Sequence, residues 1–342
     1  MVKKIQNEVS QSYLGNFDLS GREEKIIKEV SDKTGFIPNQ IIGKSSWWGS
    51  KEIGAFHCLG KFNCKKAVLK IQGTKLPTSE IFMIKAFKKN NKSKLIRPPH
   101  LYASLDWDNR KKYEALILEF INDVKIVNSP TNENELNNFF KVYKDYRNNC
   151  LKQPWLDKPK EGIPERIQIA FGKWRKASFK IYPKHPLREV KDKDLIDQAI
   201  AVLKKGYRNI EPDFIQGHFS DKDLYKVDNQ IVLLSNLYWS WRQPLYDAIF
   251  AYHWFIYHLA DVKEITPEKV EDQRKLWLDK IKSLPEVRKN EKLLNLALLE
   301  RAAAGLNLDA LSVDVNKPIS KYLVKSTREQ VLKLLSKTNW CL

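Results

Sequence analysis

The chain has 342 residues, of which 42% are hydrophobic and 30% charged, with 13 Gly, 15 Pro and 4 Cys. That length exceeds one ordinary core and suffices for two lobes, and the composition excludes collagen-like, low-complexity and wholly disordered chains. Lys and Arg number 60 against 41 Asp and Glu, a formal charge of +19, and such a field attracts phosphates, nucleic acid or anionic membranes. The excess is mostly lysine spread along the chain, with only short runs such as Lys88-Lys89 and Arg110-Lys111-Lys112. A solvated surface explains it better than a dedicated nucleic-acid face. None of the four cysteines sits in a C-x-x-C pair, so no disulfide scaffold or zinc ribbon is expected.

In chain order, a helical lead-in is expected over residues 1–35, with Ser20 capping a helix whose apolar face is Ile26, Ile27 and Val30. Short β-branched and aromatic runs broken by glycines follow between Ile41 and Ile71, the strongest being Ala67–Ile71. Pro77-Thr78-Ser79-Glu80 opens a helix with Ile81, Ile84 and Phe87 on one face. Strands at Leu101–Trp107 and Tyr113–Ile121 flank a polar hairpin turn. After Val127 the pattern is helical, at Asn132–Tyr146, Leu195–Lys204, Glu268–Leu284 and twice more between Glu291 and Leu335. The exception is a predicted hairpin within Gly217–Leu234, turning at Asp228-Asn229. No apolar stretch follows the charged N-terminus, so no signal peptide is expected. The longest apolar stretch, Ala248–Ala260, contains His253 and His258 and is too short to span a bilayer. The expected setting is cytoplasmic, without a membrane partner.

This order puts Lys70 at the end of a strong strand, Glu80 near the start of the next helix and Glu119 at the close of the small lobe's last strand. A strand lysine paired with a helix glutamate can hold nucleotide phosphates, and the backbone of Glu119, Phe120 and Ile121 can face adenine. The ten residues between Lys70 and Glu80 are few for such a pair. Trp47, Trp48 and the Gly49–Gly54 stretch stand where a phosphate-covering hairpin would be, but they do not form a Gly-rich motif.

The segment Gln216-Gly217-His218-Phe219-Ser220-Asp221-Lys222-Asp223, the hairpin, Ile231–Leu234, then Ser235 and Gln243-Pro244-Leu245-Tyr246-Asp247 resembles the aminoglycoside phosphotransferase and choline kinase group of the protein-kinase-like superfamily. The family's loop reads H-G-D-x-x-x-x-N, followed by a hairpin, an apolar run ending in Asp, and D-P-x-x-D. The resemblance implies an α+β, protein-kinase-like two-lobed fold. Its small, mostly antiparallel lobe (36–122) would bind nucleotide, and its larger helical lobe (123–342) would carry the hairpin. In this register Gln216 takes the family's His, His218 its catalytic Asp, Asp223 its Asn, Ser235 its metal-binding Asp and Asp247 its structural Asp.

The departures bear on function. Ser235 is neutral and short, while Mg²⁺ wants charged oxygen ligands, so Asp223 with Ser235 provides poorly for the metal. His218 can accept a proton near neutrality, and Asp221 and Asp223 are the other candidates for a catalytic role. The resemblance therefore implies ATP as cofactor. The expected function is a degenerate kinase that binds a nucleotide or related anion in the interlobe cleft with little or no transfer. An acidic protein or a small molecule would be its further partner. One alternative is an active small-molecule kinase using the atypical loop. Another is a basic helical protein binding nucleic acid, which the charge supports and the absence of a nucleic-acid motif opposes. His57, Cys58 and Cys64 read as hairpin residues and not as a metal site. Trp239 and Trp241 read as packing residues, with an aromatic plug as the alternative.

Overall fold

A computed structural model describes residues 21–45, 55–121, 124–181 and 184–337 of the chain. Ser20, Trp47, Trp48, the Gly49–Gly54 stretch and Cys341 lie outside the described residues. Two compact units emerge. The first takes the described residues within 1–89, 97–123 and 232–237, and the second those within 90–96, 124–231 and 238–342.

In the first unit, helix α1 (Gly21–Thr34) precedes strands β1 (Ile37–Ser45), β2 (Ala55–Phe62) and β3 (Lys65–Gln72), then helix α2 (Glu80–Asn90), the short strand β4 (Ile96–Arg97), whose first residue clusters with the second unit, and strands β5 (Leu101–Asp108) and β6 (Tyr113–Glu119). Five strands form one antiparallel sheet in the order β1-β2-β3-β6-β5. Side chains alternate across it, as the two-residue period of a strand requires. Phe56, Cys58, Ala67, Leu69, Ile71, Ala115 and Ile117 point to one face, where Ile26, Ile27 and Val30 of α1 complete the core. The opposite face carries Leu116, which packs with Ile81 and Ile84 of α2. The three-residue steps seen in the α2 sequence are the contacts that dock it. Gly60 is obligatory in β2, because a Cβ there would lie 2.4 Å from the Phe36 ring.

The second unit is mainly helical. It contains α3 (Glu133–Asp145), a π turn (Tyr146–Cys150), α4 (Ile163–Ile181), α5 (Asp192–Gly206), β7 (Asp213–Ile215), the strands β8 (Leu224–Val227) and β9 (Gln230–Leu233) with the Asp228 turn between them, β10 (Ser240–Arg242) and α6 (Tyr246–His258). Helices α7 (Pro267–Lys282), α8 (Pro285–Arg288), α9 (Glu291–Asn307) and α10 (Pro318–Ser336) complete it. Residues 232 and 233 of β9 cluster with the first unit. A reciprocal capping box between Asn132 and Glu135 starts α3. Helices α6 and α9 are buried on almost every side, which explains why the 248–260 run is apolar throughout. No helix of the described residues is long and apolar enough to cross a membrane.

One boundary differs from the sequence expectation, and one long helix was not expected. Strand β6 ends at Glu119, whose backbone N–H turns to the His100 carbonyl at 2.9 Å, so Phe120 and Ile121 fall beyond it. Helix α4 escapes the sequence reading. Ile163, Ile167 and Phe171 recur at four-residue steps and are buried, but the exposed Ile169 and Phe179 lie off that stripe and blur the apolar period.

Candidate functional site

In the first unit, Lys70 and His57 are cross-strand neighbours on β3 and β2. The Lys70 Nζ lies 2.5 Å from Glu80 Oε2, and both side chains are largely buried. Ten residues are enough because the chain leaves β3, turns through 73–79 and enters α2 at Glu80 itself. The Ser79 hydroxyl accepts from Ile81 N–H at 3.1 Å, starting the helix, and donates to Glu114 Oε2 at 2.7 Å. Burial and then the Lys70 charge push the His57 imidazole down to about 3, so it is neutral beside the lysine. Cys58 faces the opposite core, and Cys64 is exposed in the following turn, so these three side chains do not converge.

The Glu119 side chain is engaged within the protein. Its carboxylate is held by Arg97 Nη1 at 2.7 Å and lies 3.4 Å from His100 Nε2. Beyond the strand, Phe120 lies under the Lys66 ammonium at 5.2 Å, and Ile121 is half-buried. Ser235 is half-buried with a left-handed backbone (φ 55°). The next residue, Asn236, is fully buried and donates its amide to the Leu233 carbonyl at 2.9 Å.

In the second unit, the loop after β7 is held from below by Asp247, at the start of α6. Asp247 Oδ1 accepts from Gly217 N–H at 3.0 Å, and Oδ2 accepts from the Tyr146 hydroxyl. The Tyr146 oxygen in turn accepts from Gln216 N–H at 2.7 Å. Burial pushes the Asp247 carboxyl up to about 6, against the opposing pull of Tyr146 and of the Arg147 charge. Gly217 has φ +76°, and a Cβ on it would meet the Tyr238 carbonyl at 2.7 Å.

The loop's own polar groups are turned on one another. His218 Nδ1 lies 2.8 Å from Asp223 Oδ2, and the same oxygen accepts from Ser220 Oγ at 2.5 Å. The His218 ring stacks on Tyr238 at 4.5 Å and leans on Phe250. Asp221 is buried against His258 Nδ1 at 2.9 Å. Burial alone would raise its carboxyl, but His258, Lys222 and Lys125 hold it below the ordinary value. The sequence placed His258 in the 248–260 apolar run and missed this pairing, since the partners lie 37 positions apart. It also missed Tyr146, which is indistinguishable from any aromatic on the α3 face.

Trp239 is 2% exposed, stacked on Phe214 at 5.6 Å and edge-on to Trp155. Trp241 donates its Nε1–H to the Leu156 carbonyl at 2.9 Å. Both pack within the second unit.

Mg²⁺ fits this donor set badly. The Asp223 oxygen is committed to two hydrogen-bond partners, and the position of the family's second carboxylate is a serine. Among the described residues, no three His, Cys, Asp or Glu side chains group so as to hold a metal ion.

No protein-family model matches the chain, and no curated protein matches it by sequence. Solved structures do match in fold. The fold is that of the aminoglycoside phosphotransferases and choline kinases. An amicoumacin kinase aligns over 91% of this chain and 93% of its own, at 9% identity and TM-score 0.56. The aminoglycoside phosphotransferase APH(4)-Ia aligns over 92% and 98%, at 10% identity and TM-score 0.54. A choline kinase from Cryptosporidium parvum Iowa II aligns over 92% and 96%, at 14% identity and TM-score 0.53. The protein-kinase-like, two-lobed α+β class expected from the sequence is therefore the observed one.

Proposed function

We propose that this protein is a degenerate small-molecule-kinase fold that binds a nucleotide through Lys70 and transfers its phosphoryl group slowly or not at all. The observation that carries this reading is the loop's closed network, in which the Asp223 carboxylate is taken up by His218 and Ser220 and the Asp221 carboxylate by His258. A base or metal ligand of this fold must present its oxygen outward, and these are engaged inward. The Lys70–Glu80 pair supports retained phosphate binding, since it fixes the position of the lysine side chain. Relatives of the same fold are seen with nucleotide: the amicoumacin kinase with AMP-PNP, and APH(4)-Ia with ADP or AMP-PNP.

One observation favours an active enzyme instead. A carboxylate 2.8 Å from a histidine Nδ1 is the arrangement that orients an imidazole as general base. A single pair of assays decides between the two. Thermal unfolding is followed with ATP, with and without Mg²⁺, for the natural protein and Lys70→Ala, alongside ATP turnover. The proposal expects stabilisation by ATP that needs no Mg²⁺ and is lost in Lys70→Ala, with no turnover above the buffer rate. Turnover abolished by His218→Ala and by Asp223→Ala would establish the enzyme and overturn the degenerate reading.

A further inference from the structure

The second unit holds cationic groups that its own acids do not satisfy. Arg166 stands in the first turn of α4 and Arg242 ends β10, and neither has a carboxylate within 4.0 Å among the described residues. The Arg166 Nη1 is buried with no hydrogen-bond partner. Burial, and then the nearby Arg242 charge, push the Arg166 guanidinium down from its ordinary value, with Glu161 opposing only in third place. Arg242 spends its Nε on Ser240 Oγ at 3.0 Å and lies over the Tyr246 ring at 5.0 Å, which leaves its two Nη groups without a partner among the described residues.

Glu161, whose charge reaches Arg166, makes no ion pair with it among the described residues, and the other acids of this region are engaged elsewhere. Glu300 is 4.0 Å from the Arg301 Nε and bonds to Gln243. Asp309 lies 3.5 Å from Arg301 and 3.1 Å from His253. Asp247 is committed to Gly217 and Tyr146. Two guanidiniums whose like charges act on each other in a partly desolvated setting repel and forgo hydration, a cost that a protein normally offsets with paired acids. Two guanidiniums present forks of parallel donors suited to the oxygens of a phosphate or carboxylate.

We propose that Arg166 and Arg242 form an oxoanion-binding site in the second unit, one that takes a small molecule bearing a phosphate or carboxylate group. The site adjoins the loop: Ser240, which holds Arg242, lies against Gly217, and Tyr246 under Arg242 stacks on Phe250, which touches His218. A ligand there would be anionic at the end that meets the arginines. The inference stands apart from nucleotide binding at Lys70 and survives if that reading fails.

The test is calorimetric titration of inorganic phosphate, and separately of succinate, into the full-length protein at constant ionic strength. The variants are Arg242→Gln, Arg166→Gln and Lys70→Ala. The expected result is saturable binding of at least one of the two anions, weakened about tenfold or more by Arg242→Gln and by Arg166→Gln, and unchanged by Lys70→Ala. The anion that binds identifies the headgroup as phosphoryl or carboxyl. Failure of both anions to bind the natural protein overturns the proposal. So does binding that persists in Arg242→Gln, or phosphate binding that disappears in Lys70→Ala, which would locate the anion at the lysine. Arg242 is half-buried and ends a three-residue strand. Arg242→Gln is therefore decisive should Arg166→Gln fail to fold, and an unchanged far-ultraviolet circular dichroism spectrum checks that it has folded.

Discussion

Asp247 offers the sharpest test of how the loop is held. The acid is 1% exposed, and burial moves its carboxyl from 3.8 to about 6. The sign is opposite to that of an ordinary salt-bridged aspartate. A carboxyl with a raised native pKa binds its proton more tightly in the folded state, so its contribution to stability grows as pH falls from about 6 toward 4 and is lost as pH rises through about 6. Linkage between those two values gives about 1.3 kcal/mol of added stability on going from pH 7 to pH 5. Asp247→Ala removes this titration and leaves two buried donors, Gly217 N–H and the Tyr146 hydroxyl, without their acceptor. Each orphaned group costs about 1–3 kcal/mol, so a loss of about 2–6 kcal/mol is expected near pH 5. Urea unfolding monitored by tryptophan fluorescence, at pH 5 and pH 7 for both proteins, measures the difference. The gap between natural protein and variant should be wider at pH 5 by about 1.3 kcal/mol. A gap that is flat with pH, or narrower at pH 5, would show that the buried carboxyl does not titrate as argued.

Gly217→Ala should destabilise by more than about 1–2 kcal/mol, because the left-handed backbone is disfavoured for alanine and the new methyl meets the Tyr238 carbonyl. Gly172→Ala, in the middle of α4 with nothing within 4 Å of the added carbon, should instead stabilise by up to about 1 kcal/mol; urea midpoints compare the two directly. Trp277→Ala should cost about 3–5 kcal/mol by differential scanning calorimetry, since that ring is fully buried among Phe139, Phe140 and Phe255. Arg328→Met should cost about 3–5 kcal/mol, because it leaves Asp192 buried without its two-point partner at 2.6 and 2.9 Å. Adding Asp192→Leu to that variant should recover most of the loss in chemical unfolding, as expected when the penalty is an unpaired charge.

Much of the architecture was legible in the chain because its cause is local. The Ala67–Ile71 alternation, the three-residue steps of Ile81 and Ile84 and the unbroken apolar run around Phe250 each report the period of a strand or helix and the face it buries. The Gln216–Asp247 order was likewise readable, because residues that serve one loop are spaced along one stretch of chain. Helix α4 was not, since its buried Ile163, Ile167 and Phe171 are interleaved with the exposed Ile169 and Phe179, which obscure the period.

What each polar side chain does was beyond reach of the linear order. Along the chain, Asp221 and Asp223 have equal standing as candidate bases. Folding brings His258 of α6 onto one and His218 with Ser220 onto the other. The same holds for Arg166 and Arg242, which are unremarkable among 60 basic residues until the packing shows which cations lack an acid. Periodicity is a property of neighbours along the chain, so it survives in one dimension. The partner of a charge is a matter of distance in space, which only the assembled helices and strands define.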